Sequence, residues 1–227
     1  MTGYTHTVGG AVAGLALAAV GHAPLLPVLA GGVVGALAVD LDHPASLATS
    51  HVPGAGMVHA AAGERLAHRG AWHSVLPGVA VALLMGGLAV ALPHLWSLLA
   101  LVGLVLVVLA WHARHTRHAL SCWSADTDPG TMHGLAAYAL RRSWPLILPL
   151  ALGTAAPLWL AVAVAVGWLS HLTLDALTPH GVAPLWPLPW RLHGPISTGG
   201  LGEWLVAGGL VVLAAALLPL MGGGGSW

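Results

Sequence analysis

Apolar runs dominate the chain and alternate with shorter polar stretches. A helix that crosses a membrane needs about 20 residues at a rise of about 1.5 Å per residue. The apolar runs that approach this length, or that form part of a broken crossing, are 8–21, 23–39, 74–92, 95–111, 145–169 and 204–221. This pattern predicts an all-α fold, a polytopic transmembrane helix bundle of about five to six membrane segments, one or two of them short or broken.

The polar stretches between these runs predict the orientation of the bundle. All seven Arg residues lie in 40–73, 112–143 and 178–203. If consecutive runs pair as hairpins, these stretches share one membrane face, which the positive-inside rule makes cytoplasmic. The run 145–169 must then enter the membrane and return, as a half-helix to about Gly153 followed by a longer helix from Ala155 to Leu177.

Composition narrows the class of protein further. Hydrophobic residues make up 57% of the 227 residues and charged residues 6%, whereas a soluble domain carries roughly 25% charged residues. This excludes a soluble single-core domain and a disordered chain. The net charge of zero gives no reason to expect a nucleic-acid partner. Cys122 is the single cysteine, which excludes an intramolecular disulfide.

We interpret residues 1–221 as one membrane-embedded domain. The stretch 112–143 is predicted to be a cytoplasmic insertion, and the glycine-rich 222–227 a flexible tail. No Lys or Arg precedes Arg65, so the first run lacks the basic flank of a signal peptide and is expected to be retained. Within the insertion, the spacing of His112, His115 and His118 is compatible with metal binding and equally with a solvated basic helix face.

Histidines and carboxylates recur at the ends of the apolar runs, which the hairpin arrangement places in a single layer. Such side chains are costly near a membrane and are retained there mainly for function. Zinc and similar ions bind imidazole nitrogen and carboxylate oxygen. The sequence therefore predicts a metal site whose candidate ligands are His6, Asp40, Asp42, His43, His68, His73, His171, Asp175 and Glu203.

Two pairs in this set have the spacing of neighbours on a helix. His171 and Asp175 are four residues apart and therefore share one helical face. Asp40 and His43 would also share a face if the helix before them continues through both. Each pair would then offer two ligands from one rigid element.

The stretch before the third apolar run combines histidines with a cation and a hydroxyl. His68 and His73 converge only if Gly70 breaks any helix there, so this stretch is predicted to be a loop that meets a helix N-terminus. A fixed cation and a hydroxyl at such a place suit an anionic ligand such as phosphate. We infer that Arg69 and Ser74 contact a substrate phosphate.

These motifs, taken in order, resemble a known family. The chain is similar to the YdjM-type membrane-bound metal-dependent hydrolases, a LexA-regulated family of the bacterial inner membrane. The residues that carry the resemblance are His6, Asp40-Leu41-Asp42-His43-Pro44-x-Ser46, His68-Arg69-Gly70-x-x-His73-Ser74, Gly167-x-Leu169-Ser170-His171-x-x-x-Asp175-x-Leu177-Thr178-Pro179-x-Gly181-Val182, Leu185-Trp186-Pro187 and Glu203. The chain departs from the family pattern at Trp72, where Thr is common, and in 112–143. His180 falls where the pattern is not fixed.

The order of these residues also resembles, more distantly, the zinc-dependent phospholipase C and S1/P1 nuclease group. That resemblance implies an all-helical fold, a cluster of two or more zinc ions and hydrolysis of a phosphoester. The ligands that it implies are His6, Asp42, His68, His73, His171, Asp175 and Glu203, with Asp40 as a ligand or a general base.

We therefore expect a metal-dependent hydrolase in the bacterial inner membrane, with its active site facing the cytoplasm. Its substrate would be a membrane lipid or a lipid-linked phosphoester, because the site would lie at headgroup depth. The alternative is a metal-binding membrane protein or a metal transporter without hydrolase activity. Transport sites usually lie near the bilayer midplane, and the break near Gly153 is the feature that favours this alternative.

Overall fold

The computed structural model describes residues 1–43, 46, 70–91 and 156–221, and it is helical. Five α-helices lie in these ranges: α1 (Gly3–Gly21), α2 (Leu25–Ala38), α3 (Val75–Ala91), α4 (Pro157–Ala176) and α5 (Leu201–Met221). Two short 3-10 helices, Val39–Asp42 and Ala71–His73, follow α2 and precede α3. Within the same ranges, β pairing is limited to an isolated bridge between Val182 and Leu192. The predicted all-α fold is confirmed.

Three of these helices, α1, α4 and α5, are long and apolar enough to cross a membrane, and α2 and α3 are shorter apolar helices. Helices that are apolar on all sides are typical of membrane spans and of deeply buried core helices. The prediction of a transmembrane helix bundle is thus confirmed for the described part of the chain. The run 95–111, the half-helix to about Gly153, the insertion 112–143 and the tail 222–227 lie outside it.

The helix boundaries follow the sequence signals except at the start of α1. Pro157 occupies the first turn of α4, where its missing N–H costs nothing, close to the expected start at Ala155. By contrast, α1 begins at Gly3, ahead of the apolar run that starts at Val8. The hydroxyl of Thr7 donates to the carbonyl of Gly3 at 2.7 Å, and the side chains of this first turn find partners on other helices. Helix formation therefore extends into a polar stretch that hydropathy alone does not mark.

The helix α4 is the centre of the described bundle, since it packs against α1, α2 and α3, while α5 packs against α1. The α1–α2 and α2–α4 contacts are backbone to backbone. A Cβ atom on Gly32 would overlap the carbonyl oxygen of Gly10, and a Cβ atom on Gly167 would overlap that of Gly32. Small residues at such crossings let membrane helices approach closely.

The polar ends of all five helices meet at one end of the bundle. Contacts join the start of α1 to the end of α4 through His6 and Asp175 and to the start of α5 through Thr5 and Glu203. A contact between His73 and Asp40 joins the 3-10 helix before α3 to the one after α2. The described helices therefore run in the alternating directions that the hairpin arrangement requires.

Candidate metal centre

The first group of converging side chains comes from α1 and α4. His171 and Asp175 lie on the same face of α4, with 3.6 Å between Nε2 and Oδ2. His6 approaches from α1, its Nε2 lying 3.3 Å from Oδ1 of Asp175. The rings of His6 and His171 stack with their centroids 3.6 Å apart and their planes at 11°. One ligand atom from each of these three residues lies within 4.8 Å of the others, close enough to hold one metal ion.

The second group adds the short 3-10 helices to α4. Oδ1 of Asp40 lies 3.6 Å from Nε2 of His73 and 3.6 Å from Nε2 of His171. These three residues also place their ligand atoms within 4.8 Å of one another. His171 therefore belongs to both groups, and the two groups together form the candidate metal centre.

Local breaks in the helices bring Asp40 and His73 to this position. After α2 the chain tightens into Val39–Asp42 and then becomes extended at His43, with φ −107° and ψ 122°. A residue that precedes proline disfavours the helical region, and Pro44 follows His43. The α-helix thus does not continue through Asp40 and His43, and His43 belongs to neither group.

The loop predicted at Gly70 is present. Gly70 has a non-helical backbone, with φ −92° and ψ −133°. The 3-10 helix Ala71–His73 follows, and α3 begins at Val75. His73 therefore sits where a loop meets a helix N-terminus. His68 and Arg69 lie outside the described residues.

Two tryptophans tie these ligand-bearing segments together. The indole N–H of Trp168, a buried residue of α4, donates to the carbonyl of Ser74 at 2.8 Å. The indole N–H of Trp72 donates to the carbonyl of Ala38 at 3.1 Å, and the two rings meet edge to face at 5.3 Å. Sequence reasoning missed this role, although the departure from the family pattern at Trp72 was a signal.

The hydrogen bond of His171 fixes how its ring can bind an ion. Its Nδ1 lies 2.6 Å from the carbonyl oxygen of Ala36, and a carbonyl only accepts, so Nδ1 carries the proton. In the neutral ring, Nε2 then presents a lone pair to the carboxylates of Asp40 and Asp175, and within the described ranges it has no hydrogen-bond partner. A lone pair that faces two carboxylates is stabilised by a proton or a metal ion between them, and the N-terminal ammonium of Met1 lies 2.8 Å from Oδ1 of Asp175 on the other side of that carboxylate. An N–H that donates to a backbone carbonyl is also the usual outer-shell contact of metal-binding histidine.

The side chains of the candidate centre are buried from solvent except at Asp40. His6, His73, His171 and Asp175 are each at most 1% exposed, whereas the side chain of Asp40 is 18% exposed. Burial alone would raise the pKa of Asp40, but the neighbouring His73, His171 and His6 outweigh it and hold this pKa well below its usual range. Asp40 is therefore a carboxylate at neutral pH, as a ligand or a base must be.

The comparison with known families decides the class of protein. The family described as YdjM inner membrane protein matches residues 1–223. The chain belongs to the YdjM family. Together with the apolar helices, this membership makes it a membrane protein. No curated protein and no solved structure shows significant similarity to the chain.

Other candidate residues of this YdjM family member lie apart from the centre or outside the described part. The Ser74 hydroxyl is buried and donates to the carbonyl of Ala71 at 2.7 Å. His180 is exposed in the connection after α4. The side chain of Asp42 and the cluster His112, His115 and His118 lie outside the described part. The ligand roles of Asp42 and His68, and the phosphate contacts of Arg69 and Ser74, stay predictions.

Glu203, at the start of α5, is buried but belongs to neither group. Its Oε1 accepts hydrogen bonds from the backbone N–H of Thr2 at 2.6 Å, the Thr2 hydroxyl at 2.9 Å and the Thr5 hydroxyl at 2.6 Å. Its Oε2 accepts one from the N–H of Gly199 at 2.6 Å. These bonds hold the start of α1, and hence His6, against α5.

We expect Glu203→Gln to lower the stability of the protein and to leave its metal content unchanged. The amide cannot accept hydrogen bonds at both positions, and a hydrogen bond to a charged group contributes about 2 kcal/mol. Thermal unfolding in detergent measures the first effect and elemental analysis the second. Thr5→Val, which removes one donor, should cause a smaller loss of the same sign. A loss of metal from Glu203→Gln with unchanged stability would instead make Glu203 a ligand.

Proposed function

We propose that this membrane protein is a metal-dependent hydrolase that cleaves a phosphoester of a lipid or a lipid-linked substrate. The observation that carries the proposal is the position of Nε2 of His171, which lies in a buried site 3.6 Å from a carboxylate oxygen of Asp40 and 3.6 Å from one of Asp175. Three imidazoles and two carboxylates form a donor set that suits zinc. Carboxylates and imidazoles this deep in an apolar protein indicate a function.

The geometry limits how two or more ions would share these donors. Nδ1 of His171 is bonded to Ala36, so this ring offers one nitrogen to one ion. His6 and His73 each offer a nitrogen to their own group. A second ion would therefore depend on a carboxylate of Asp40 or Asp175 that uses both oxygens. The predicted ligands Asp42 and His68 would complete its coordination.

Hydrolysis of a phosphoester at this centre would require a Lewis acid, a base and a group that binds the phosphate. Divalent ions in such sites lower the pKa of water and stabilise the negative charge that develops on a phosphoryl group. Asp40 would accept the proton from the attacking water, because it is the more exposed carboxylate of the centre. Arg69 would hold the substrate phosphate, with Ser74 as a second contact once its hydroxyl leaves the Ala71 carbonyl.

The location of the centre favours a substrate that is itself part of the membrane. Its ligands come from the ends of helices rather than from their middles, so the site would lie near headgroup depth. The same position argues against a transport site at the midplane. We propose that this face is cytoplasmic and that the protein is a multi-pass protein of the inner membrane, because the hairpin arrangement inferred from the sequence assigns every Arg-bearing stretch to this side.

Metal removal tests the proposed activity directly. We expect the purified protein in mixed micelles to release phosphorylated headgroups from phospholipid, to fall to the protein-free background after chelation, and to recover when zinc is restored. The reason is that ionised Asp40 cannot activate water without the Lewis acid. Release of phosphate-containing products is measured by mass spectrometry over a panel of lipids and lipid-linked diphosphates.

A parallel assay in liposomes separates the proposal from its alternative. Uptake of zinc by a dye-loaded vesicle, without hydrolysis of any lipid in the panel, would replace the hydrolase by a transporter. Metal bound at stoichiometric level with neither flux nor hydrolysis would leave a metal-binding membrane protein and would also contradict the proposed hydrolase.

A further inference from the structure

The connection between α4 and α5 carries an unusual exposed segment. All nine residues of 185–193 are exposed, and the segment contains no acidic residue. Its large apolar side chains are close to half exposed or more, with Trp190 at 70%; they are Leu185, Trp186, Leu188, Trp190 and Leu192. Contiguous apolar surface of this kind is unfavourable in water and usually marks a binding surface. We call this segment the exposed loop.

The base of the exposed loop is firmly held, so its apolar side chains are not exposed through fraying. Val182 and Leu192 exchange both backbone hydrogen bonds, at 2.8 and 2.9 Å. The N–H of Gly194 donates to the carbonyl of Thr178 at 3.0 Å. Gly181 has a φ of 63°, and a Cβ atom there would overlap the Leu192 carbonyl. The exposed loop therefore projects from the bundle on a base that backbone hydrogen bonds hold in place.

The position of the exposed loop indicates that membrane lipid covers its apolar side chains. It joins two helices that are long and apolar enough to cross a membrane, at the end where the polar residues gather. Exposed apolar side chains also occupy the first turns of α5, at Leu201, Trp204 and Leu205. Exposed apolar side chains at the start of a membrane helix face lipid. The matching occupant is the interfacial layer of the same bilayer.

We propose that the exposed loop is an interfacial anchor that inserts into the headgroup–acyl boundary beside the metal centre. Trp186 and Trp190 are amphipathic, with an apolar ring and one N–H donor, and such residues concentrate at this depth. Arg191 is exposed between Trp190 and Leu192, and its planar guanidinium matches a lipid phosphate. The anchor therefore prefers anionic lipid.

The anchor is coupled to both ligand-bearing sides of the centre. The carbonyl of Pro184 accepts a hydrogen bond from the N–H of Val75 at 2.9 Å, two residues after His73. The hydroxyl of Thr178 donates to the carbonyl of Asp175 at 2.8 Å. Insertion of the loop thus fixes the depth of the centre relative to the headgroups. This inference rests on membrane residence and not on hydrolysis.

Depth measurement with spin labels tests the anchor in the full chain. On a Cys122→Ser background, Trp190→Cys and Ser197→Cys are labelled with a nitroxide and reconstituted in liposomes of phosphatidylcholine with or without phosphatidylglycerol. Ser197 is an exposed polar residue of the same connection and is the matched control. We expect oxygen to relax the label at 190 several-fold more than a water-soluble nickel complex does, and the reverse at 197.

The remaining outcomes each decide the proposal. Leu188→Cys replaces Trp190→Cys if that variant does not fold. Equal access of the nickel complex to the loop and to 197 would overturn the anchor. Dipolar broadening that rises with protein density would replace the anchor by contact between two copies of the chain.

Arg191→Gln should abolish the deeper insertion expected with phosphatidylglycerol. Persistence of that difference in depth would contradict the contact between Arg191 and lipid phosphate. Because the readout needs neither metal nor turnover, it is independent of the proposed activity.

Discussion

Replacing His171 with asparagine is expected to empty the metal centre while the fold survives. The asparagine amide can still donate to the Ala36 carbonyl in place of Nδ1, but it has no counterpart of Nε2, which both groups share. Changes in outer-shell contacts typically weaken metal binding about 10–100-fold, so loss of the shared ligand should exceed about 100-fold. Elemental analysis and zinc titration measure the binding, and thermal unfolding in detergent measures the fold.

The control for this experiment is a histidine at the far end of α1. His22 is exposed and has a φ of 50°, a conformation that asparagine tolerates, so His22→Asn should leave metal content and stability unchanged. His6→Ala and His73→Ala each remove one ligand from one group and should each cause a partial loss of bound metal. Full metal content in His171→Asn would exclude the proposed centre, because Nε2 of His171 is the donor that the two groups have in common.

Replacing Gly32 with alanine is expected to break the packing of α1, α2 and α4. The new Cβ atom would overlap the backbone of Gly10, and a backbone atom cannot move aside as a side chain can. The helices must separate, which should lower the free energy of unfolding by about 3 kcal/mol. The midpoint of thermal unfolding and the monodisperse fraction in gel filtration report this loss.

Two glycines of the same chain offer a matched comparison for this substitution. A Cβ atom on Gly87 or on Gly208 would meet nothing within 4 Å. Gly87→Ala and Gly208→Ala should therefore be neutral or slightly stabilising, because alanine favours a helix by up to about 1 kcal/mol. If Gly32→Ala behaved like these two variants, the backbone contact between α1 and α2 would be wrong.

The sequence predicted the parts of the structure that depend on local periodicity. The apolar runs give α2, α3 and α5 to within three residues at each end, since helix length and the absence of charge are local properties, and the hairpin arrangement gives α4. The four-residue spacing of His171 and Asp175 places both on one face of α4 because the helical repeat dictates it. The convergence of His6, Asp40 and His73 on this face follows from alternating helix directions.

The parts that the sequence did not predict depend on partners far along the chain. The early start of α1 rests on Thr5 finding Glu203, which hydropathy of the first residues does not encode. The hydrogen bonds of Trp72 and Trp168 link three segments through backbone carbonyls, and a carbonyl acceptor has no sequence signature. The sequence also left undecided whether the helix after Asp40 continues through His43, because a residue before proline disfavours the helical conformation without excluding it.

Metal binding at the candidate centre would also affect the stability of the helix bundle. Its donors come from α1, from the segments next to α2 and α3, and from α4, so an ion bound there would act as a cross-link between the beginning of the chain and its later helices. Such a cross-link would add about 2.7 kcal/mol of stability when free metal reaches 100 times its dissociation constant. Cells starved of metal would therefore hold a looser form of the protein, more open to membrane proteases, and its abundance would follow metal supply.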